Sequence, residues 1–123
     1  MNATPILTIG TNLNSKDILF GTATIAEKPE LFVGSSDAKL YSVDLSSEKP
    51  ERIPFEDSQH TSYITDLVST TTALVSCSYD RQLCWWDVEK RTLIRAVQAH
   101  DKWIRRLAVS PDGQLIASVE DDM

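Results

Sequence analysis

The stretch that decides the fold runs His60-Thr-Ser-Tyr-Ile-Thr-Asp-Leu-Val-Ser-Thr-Thr-Thr-Ala-Leu-Val-Ser-Cys-Ser-Tyr-Asp-Arg-Gln-Leu-Cys-Trp-Trp-Asp87. It holds three short runs rich in β-branched and aromatic residues: Tyr63–Ser69, Ala73–Ser78 and Leu83–Asp87. Short runs of this kind, bounded by polar turns, read as β-strands. Tyr79-Asp80-Arg81-Gln82 is the turn between the second and third. A fourth strand is expected at Leu93–Val97, where Leu, Ile and Val outweigh the helix formers of residues 89–98.

Working outward, the same pattern appears on both sides. Upstream, Ile18–Thr24, Leu31–Ser35 and Lys39–Asp44 read as strands. Ser46–Pro54 is polar, contains two prolines and reads as a loop. Downstream, strands are expected at Ile104–Val109 and Leu115–Val119. Ser110-Pro111-Asp112-Gly113 between them is a turn signal, because Pro presets φ and Gly tolerates positive φ. No stretch carries a helical period over ten or more residues, so the chain reads as all-β.

A repeat chooses among the all-β architectures. Asp37 and Asp80 are 43 residues apart, and Asp80 and Asp122 are 42 apart. His60 and His100 are 40 apart, and Val43-Asp44 precedes Trp86-Asp87 by 43. One period of about 40–45 residues is the length of a four-stranded propeller blade. A sandwich gives no reason for it.

On these residues the chain resembles the WD-repeat family. That pattern has a His before the first strand, often Ser-Pro-Asp-Gly, then Ser-x-Asp and Trp-Asp. The second unit shows His60, Ser78-Tyr79-Asp80 and Trp86-Asp87 in order. The third shows Ala99-His100, Ser110-Pro111-Asp112-Gly113 and Asp121-Asp122. The first shows Ser35-Ser36-Asp37 and Val43-Asp44, without the His or the Trp. The resemblance implies about two and a half four-stranded antiparallel blades of an incomplete WD-repeat β-propeller. Blade one covers about residues 15–58 and is degenerate. Blade two covers about 59–98 and is complete. Blade three covers about 99–123 and is truncated. A closed propeller has 4–8 blades, so a piece of a longer chain is expected.

The family places a hydrogen-bonded tetrad inside each blade. Carried over, it is His60, Ser78, Asp80 and Trp86. A buried indole N–H needs an acceptor, and a hydroxyl can accept and donate at once. The alternative, a Ser-His-Asp hydrolase triad, lacks a Gly-x-Ser-x-Gly elbow. In unit one Val43 stands at the Trp position, so apolar packing is expected to replace the tetrad. In unit three Glu120 stands where the Ser is expected, close to His100.

Composition narrows function further. The chain has 123 residues, 41% hydrophobic and 24% charged, with a net charge of −6. That balance argues against a nucleic-acid partner, which needs a basic face to neutralise phosphates. No apolar run approaches the ~20 residues of a membrane helix, and no membrane partner is expected. Cys77 and Cys84 form neither a C-x-x-C pair nor a zinc pattern. Two buried thiols are expected, nearly opposite each other on paired strands. No catalytic, cofactor or metal motif is present: there is no P-loop, no Gly-x-Gly-x-x-Gly and no His-Glu-x-x-His.

The leading expectation is therefore a non-catalytic protein-interaction scaffold. The alternative is a scaffold or regulatory propeller region of a larger multidomain enzyme or signalling protein. The expected partners are a protein or peptide, further blades of a parent chain, or a second copy. In the family, the loops before the first strand and between the second and third strands share one face. The matching positions are Tyr63, Tyr79, Arg81, Lys102, Trp103 and Arg105, and aromatics and Arg are the side chains enriched at binding hot spots. Trp85 is expected on the opposite side of its strand from Trp86, against a neighbouring blade. A cytoplasmic location is expected ahead of a secreted one.

Overall fold

A computed structural model describes residues 16–57 and 60–121. Asp122, one anchor of the sequence period, lies outside the described residues. The described residues form ten strands: β1 Leu19–Thr24, β2 Glu30–Ser35, β3 Leu40–Asp44, β4 Arg52–Pro54, β5 Ile64–Ser69, β6 Leu74–Ser78, β7 Gln82–Asp87, β8 Thr92–Gln98, β9 Ile104–Val109 and β10 Ile116–Glu120. They make two four-stranded antiparallel sheets, β1-β2-β3-β4 and β5-β6-β7-β8, and a two-stranded sheet, β9-β10. Each sheet is a meander in chain order. The sheets form blade-like units in an open arrangement. The innermost strands lie side by side, β1 against β5 and β5 against β9.

The turns explain why the chain reverses where it does. Asp37, Asp80 and Asp112 each accept a backbone N–H from the residue two positions on, at 3.0, 2.9 and 3.0 Å. The residue after each, Ala38, Arg81 or Gly113, has a φ near +70°. A short carboxylate that mimics a backbone turn stabilises this geometry. Asp87 does similar work at the β7–β8 turn, accepting from Glu89 and Lys90 at 2.9 and 3.0 Å.

Blade two is buried on both sides, and the two-residue period of its strands divides its side chains. Leu74, Cys84 and Trp86 join Phe32, Leu40, Phe55, Ile64 and Leu67 in the core shared with blade one. Val75, Cys77 and Leu83 join Ile104 and Leu107 in the core shared with blade three, with Trp85 packed against it. The two buried thiols expected on paired strands are there. Cys77 pairs with Leu83 and Cys84 with Ser76, so the two thiols sit one position out of register. They enter different cores as free, buried cysteines. Burial pushes the Cys77 thiol to about 11, and burial with the charge of Asp80 pushes Cys84 to about 12.

One expectation is corrected. The end of the Ser46–Pro54 loop is strand β4, paired through Tyr41↔Pro54 and Val43↔Arg52. An edge strand tolerates a proline because its outer side donates to no ladder. Side chains stitch the blades together. Thr65 Oγ1 donates to the Ile104 carbonyl at 2.7 Å, and Leu107 N–H donates to Asp66 Oδ2 at 2.8 Å. On the other side, Arg91 donates to Ser42 Oγ and Lys28 pairs with Glu89.

Candidate functional site

Blade two contains a buried polar chain. Asp80 Oδ2 lies 2.9 Å from His60 Nδ1, and His60 Nε2 lies 2.7 Å from Ser76 Oγ. Trp86 Nε1–H donates to the same Ser76 Oγ at 2.8 Å. The indole can only donate, so one arrangement of protons satisfies every group. Trp86 donates to Ser76, Ser76 to His60 Nε2, and His60 Nδ1–H to the Asp80 carboxylate. Burial works to raise the Asp80 carboxyl. The hydrogen bond from His60, with backbone N–H groups of Gln82 and Thr61, outweighs it and holds the carboxyl below its ordinary value.

The serine of this chain is Ser76, which corrects the assignment of Ser78. Ser78 is also buried, but it stands at the end of β6. Its hydroxyl donates to the Ser62 carbonyl at 3.1 Å and accepts the Asp80 N–H at 3.0 Å. It shapes the turn that holds Asp80 and does not touch His60 or Trp86.

The same shift applies in blade three. Ser118 Oγ lies 2.7 Å from His100 Nε2, so Ser118 supplies the hydroxyl that was sought at Glu120. Glu120 instead faces the other ring nitrogen, with Oε2 3.6 Å from His100 Nδ1, and accepts the Lys102 N–H at 3.0 Å. Blade one replaces the chain more fully. Val33 and Val43 are buried. Packing is not the whole replacement, because Asp37 accepts the Tyr41 hydroxyl at 2.5 Å and Arg52 lies over the Tyr41 ring at 4.5 Å.

A second set of side chains gathers at one end of the blades. Phe20 stacks on Tyr63 at 5.7 Å between centroids, Tyr63 on Tyr79 at 5.7 Å, and Tyr79 on Trp103 at 4.7 Å. The interplanar angles are 25°, 26° and 19°. Four rings thus form one ladder across three blades. A backbone hydrogen bond joins two of the ladder residues, the Tyr63 carbonyl accepting the Tyr79 N–H at 3.1 Å. Arg105 donates to Tyr79 Oη at 2.6 Å and pairs with Asp121 at 2.8 Å. Beside the last ring lies an open depression of about 490 Å³, lined by Arg81, Asp101, Lys102, Trp103 and Asp121.

All six residues named from the sequence for a partner face therefore fall in one patch. Sequence reading missed Phe20, although it precedes Tyr63 by 43 residues, the repeat length. It also missed Asp121 as the counter-charge of Arg105. Trp85 packs away from this patch, with Arg95 over its ring at 4.1 Å. Among the described residues, no group of three or more His, Cys, Asp or Glu side chains is placed to hold a metal.

Comparison with known proteins agrees with this architecture. The chain is 41% identical over 54 residues to nuclear distribution protein PAC1 of Arthroderma otae, covering 44% of this chain and 12% of that protein. It is 38% identical over 66 residues to superkiller complex protein 8 of Dictyostelium discoideum, covering 51% and 22%. It is 37% identical over 53 residues to the Lissencephaly-1 homolog of Caenorhabditis briggsae, covering 43% and 14%. The chain thus matches less than a quarter of the length of each of these relatives. Residues 54–87 and 91–123, more than half of the chain, match the family described as WD domain, G-beta repeat, and with blades, turns and buried polar chain in place, this chain belongs to the WD-repeat family.

Proposed function

We propose that this chain is a protein-interaction scaffold without a catalytic role of its own, and that it binds partners through the patch built on the aromatic ladder. The observation that carries the reading is the ladder itself. Tyr63 is 43% exposed and Trp103 is 50% exposed, and their rings are held rigid by stacking. Rigid, half-exposed aromatics beside Arg are the usual anchors of protein interfaces. The kinds of relatives fit, since two are named as a nuclear distribution protein and a member of the superkiller complex.

Ser76, His60 and Asp80 have the distances of a hydrolytic triad, but their burial supports the structural reading. Ser76 is fully buried and the His60 side chain has no exposure. The Ser76 oxygen also accepts the indole N–H. No substrate carbonyl can approach an oxygen so enclosed.

The test is affinity purification of the full chain from its own cells, compared with Tyr63→Ala and Arg105→Glu variants. Each variant should remain folded, with a cooperative thermal melt, and lose bound proteins. Variants that retain the same bound proteins at the same yield would remove this patch as the interaction face.

A further inference from the structure

Blade three leaves an edge to which a strand can be added. The Leu115 carbonyl accepts the Ser110 N–H at 2.8 Å, so Leu115 directs its backbone groups toward β9. That direction alternates along an antiparallel strand. Ile116 and Ser118 therefore direct their N–H and C=O groups away from β9. Among the described residues no strand lies on that side of β10. In blade two the same edge, that of β6, is filled by β7. Natural edges are guarded by lysine, proline or a bulge. β10 reads Ile-Ala-Ser-Val-Glu, with no lysine or proline, and its one irregularity lies at the far end, between Val119 and Glu120.

A groove of about 510 Å³ adjoins this edge, within the ~300–1,000 Å³ range of ligand clefts. Its walls are residues 113–116 of blade three, residues 70–72 of the β5–β6 turn, and Trp85 with Arg95. Trp85 and Arg95 stand opposite each other on β7 and β8, and the guanidinium lies over the indole at 4.1 Å. Arg95 makes no ion pair among the described residues, and it is the only charged residue in the lining. Asp112, in the adjoining turn, is already occupied. Its carboxylate accepts the Ser110 hydroxyl at 2.5 Å and the Gln114 N–H at 3.0 Å. The groove thus holds one uncompensated positive charge. On the other face of β10, Val119 and the preceding Leu115 are 55% and 71% exposed.

We infer that the free edge of β10 receives an extended acidic segment of a partner protein, which adds a third strand to blade three and pairs a carboxylate with Arg95. Backbone hydrogen bonds to Ile116 and Ser118 hold the segment, and its alternate side chains select it. Successive side chains of the added strand point to opposite faces. One set enters the groove, where a carboxylate meets Arg95 through charge-assisted hydrogen bonds. The other set is apolar and lies beside Leu115 and Val119. None of the ladder rings lines this groove, so the inference goes beyond the proposed binding patch and does not depend on it.

The experiment is a fluorescence-anisotropy titration of the full chain with three labelled heptapeptides. The first alternates valine and glutamate, with valine at both ends. The second replaces the glutamates with lysines. The third carries prolines at its fourth and fifth positions, so that one of them lies on the pairing side in either register and cannot donate. The unaltered chain should bind the first at least about tenfold more tightly than the other two. Arg95→Glu should reverse the preference between glutamate and lysine, and Tyr63→Ala should bind the first peptide as the unaltered chain does. Circular dichroism melts confirm that each variant is folded. Hydrogen exchange read by NMR gives the position: the first peptide should slow the Ile116 and Ser118 amides at least about tenfold and leave Tyr79 unchanged. Equal or tighter binding of the lysine peptide to the unaltered chain overturns the inference, as does equal binding of the proline peptide. Loss of binding in Tyr63→Ala, or slowed exchange at Tyr79 and not at Ile116 and Ser118, places the peptide on the ladder and overturns it as well. Absence of all binding at about 1 mM does so too.

Discussion

At the scale of the residue, two serines two positions apart do different work. Ser76 links an indole and an imidazole, and Ser78 ties a turn. Removing the Ser76 hydroxyl strands two buried groups, and each costs about 1–3 kcal/mol when unpaired. Ser76→Ala should therefore lower stability by about 2–4 kcal/mol in urea denaturation of the full chain, and Ser78→Ala by about 1 kcal/mol. Equal losses would mean that Ser76 does not bridge the chain. His60→Ala should cost about 1–3 kcal/mol by the same argument. Asp80 predicts a pH dependence. Its folded carboxyl is held below the ordinary value. Its stabilisation is therefore full above the unfolded pKa of about 3.9 and is lost as pH falls through the folded value. Melting temperature should drop below about pH 4, and Asp80→Asn should shrink the drop. An unchanged pH profile in Asp80→Asn would remove Asp80 as a source of acid sensitivity.

At the scale of the element, the innermost strands carry the junctions. A Cβ on Gly21 in β1 would stand 2.7 Å from the Asp66 Cα in β5. That neighbour is backbone and cannot swing aside. Gly21→Ala should therefore force the two strands apart and cost about 1–3 kcal/mol, the usual price of overpacking, and a thermal melt reads it directly. An unchanged melt would show that β1 and β5 are free to separate. Much of this scale was legible in the sequence. Strand positions followed from alternation and turn residues, because a sheet buried on both faces and punctuated by Asx turns leaves few other readings. Strand β4 was not legible, since three residues ending in proline carry too short a pattern. Its pairing depends on β3 being there.

At the scale of the whole molecule, the blades cover each other unevenly. Blade two lies between two neighbours and is the best buried. Sheet β9-β10 has two strands among the described residues and leaves Leu115 and Val119 exposed. Exposed apolar side chains beside an open strand edge favour association. The 123-residue chain studied by itself should elute in size-exclusion chromatography ahead of a 13.7 kDa monomer, and increasingly so with concentration. A monodisperse monomer with a cooperative melt would show that the open blades are stable without a partner. The ladder also belongs to this scale, because its four rings come from three blades.

The sequence alone determined the all-β class and the blade-length repeat, and its resemblance to the WD-repeat family named three of the four members of the buried chain: His60, Asp80 and Trp86. Periodicity and turn chemistry are local, and a single chain displays them. Only the tertiary structure chose Ser76 over Ser78. Residues two apart share a strand face, so alternation cannot separate them, and the choice lies in which hydroxyl stands level with the imagined line from Asp80 to Trp86. Only the tertiary structure sent Cys77 and Cys84 into different cores, because a one-position register offset reverses a side chain's face. It alone added Phe20 to Tyr63, Tyr79 and Trp103, since stacking depends on how blades sit side by side, which no stretch of one blade records.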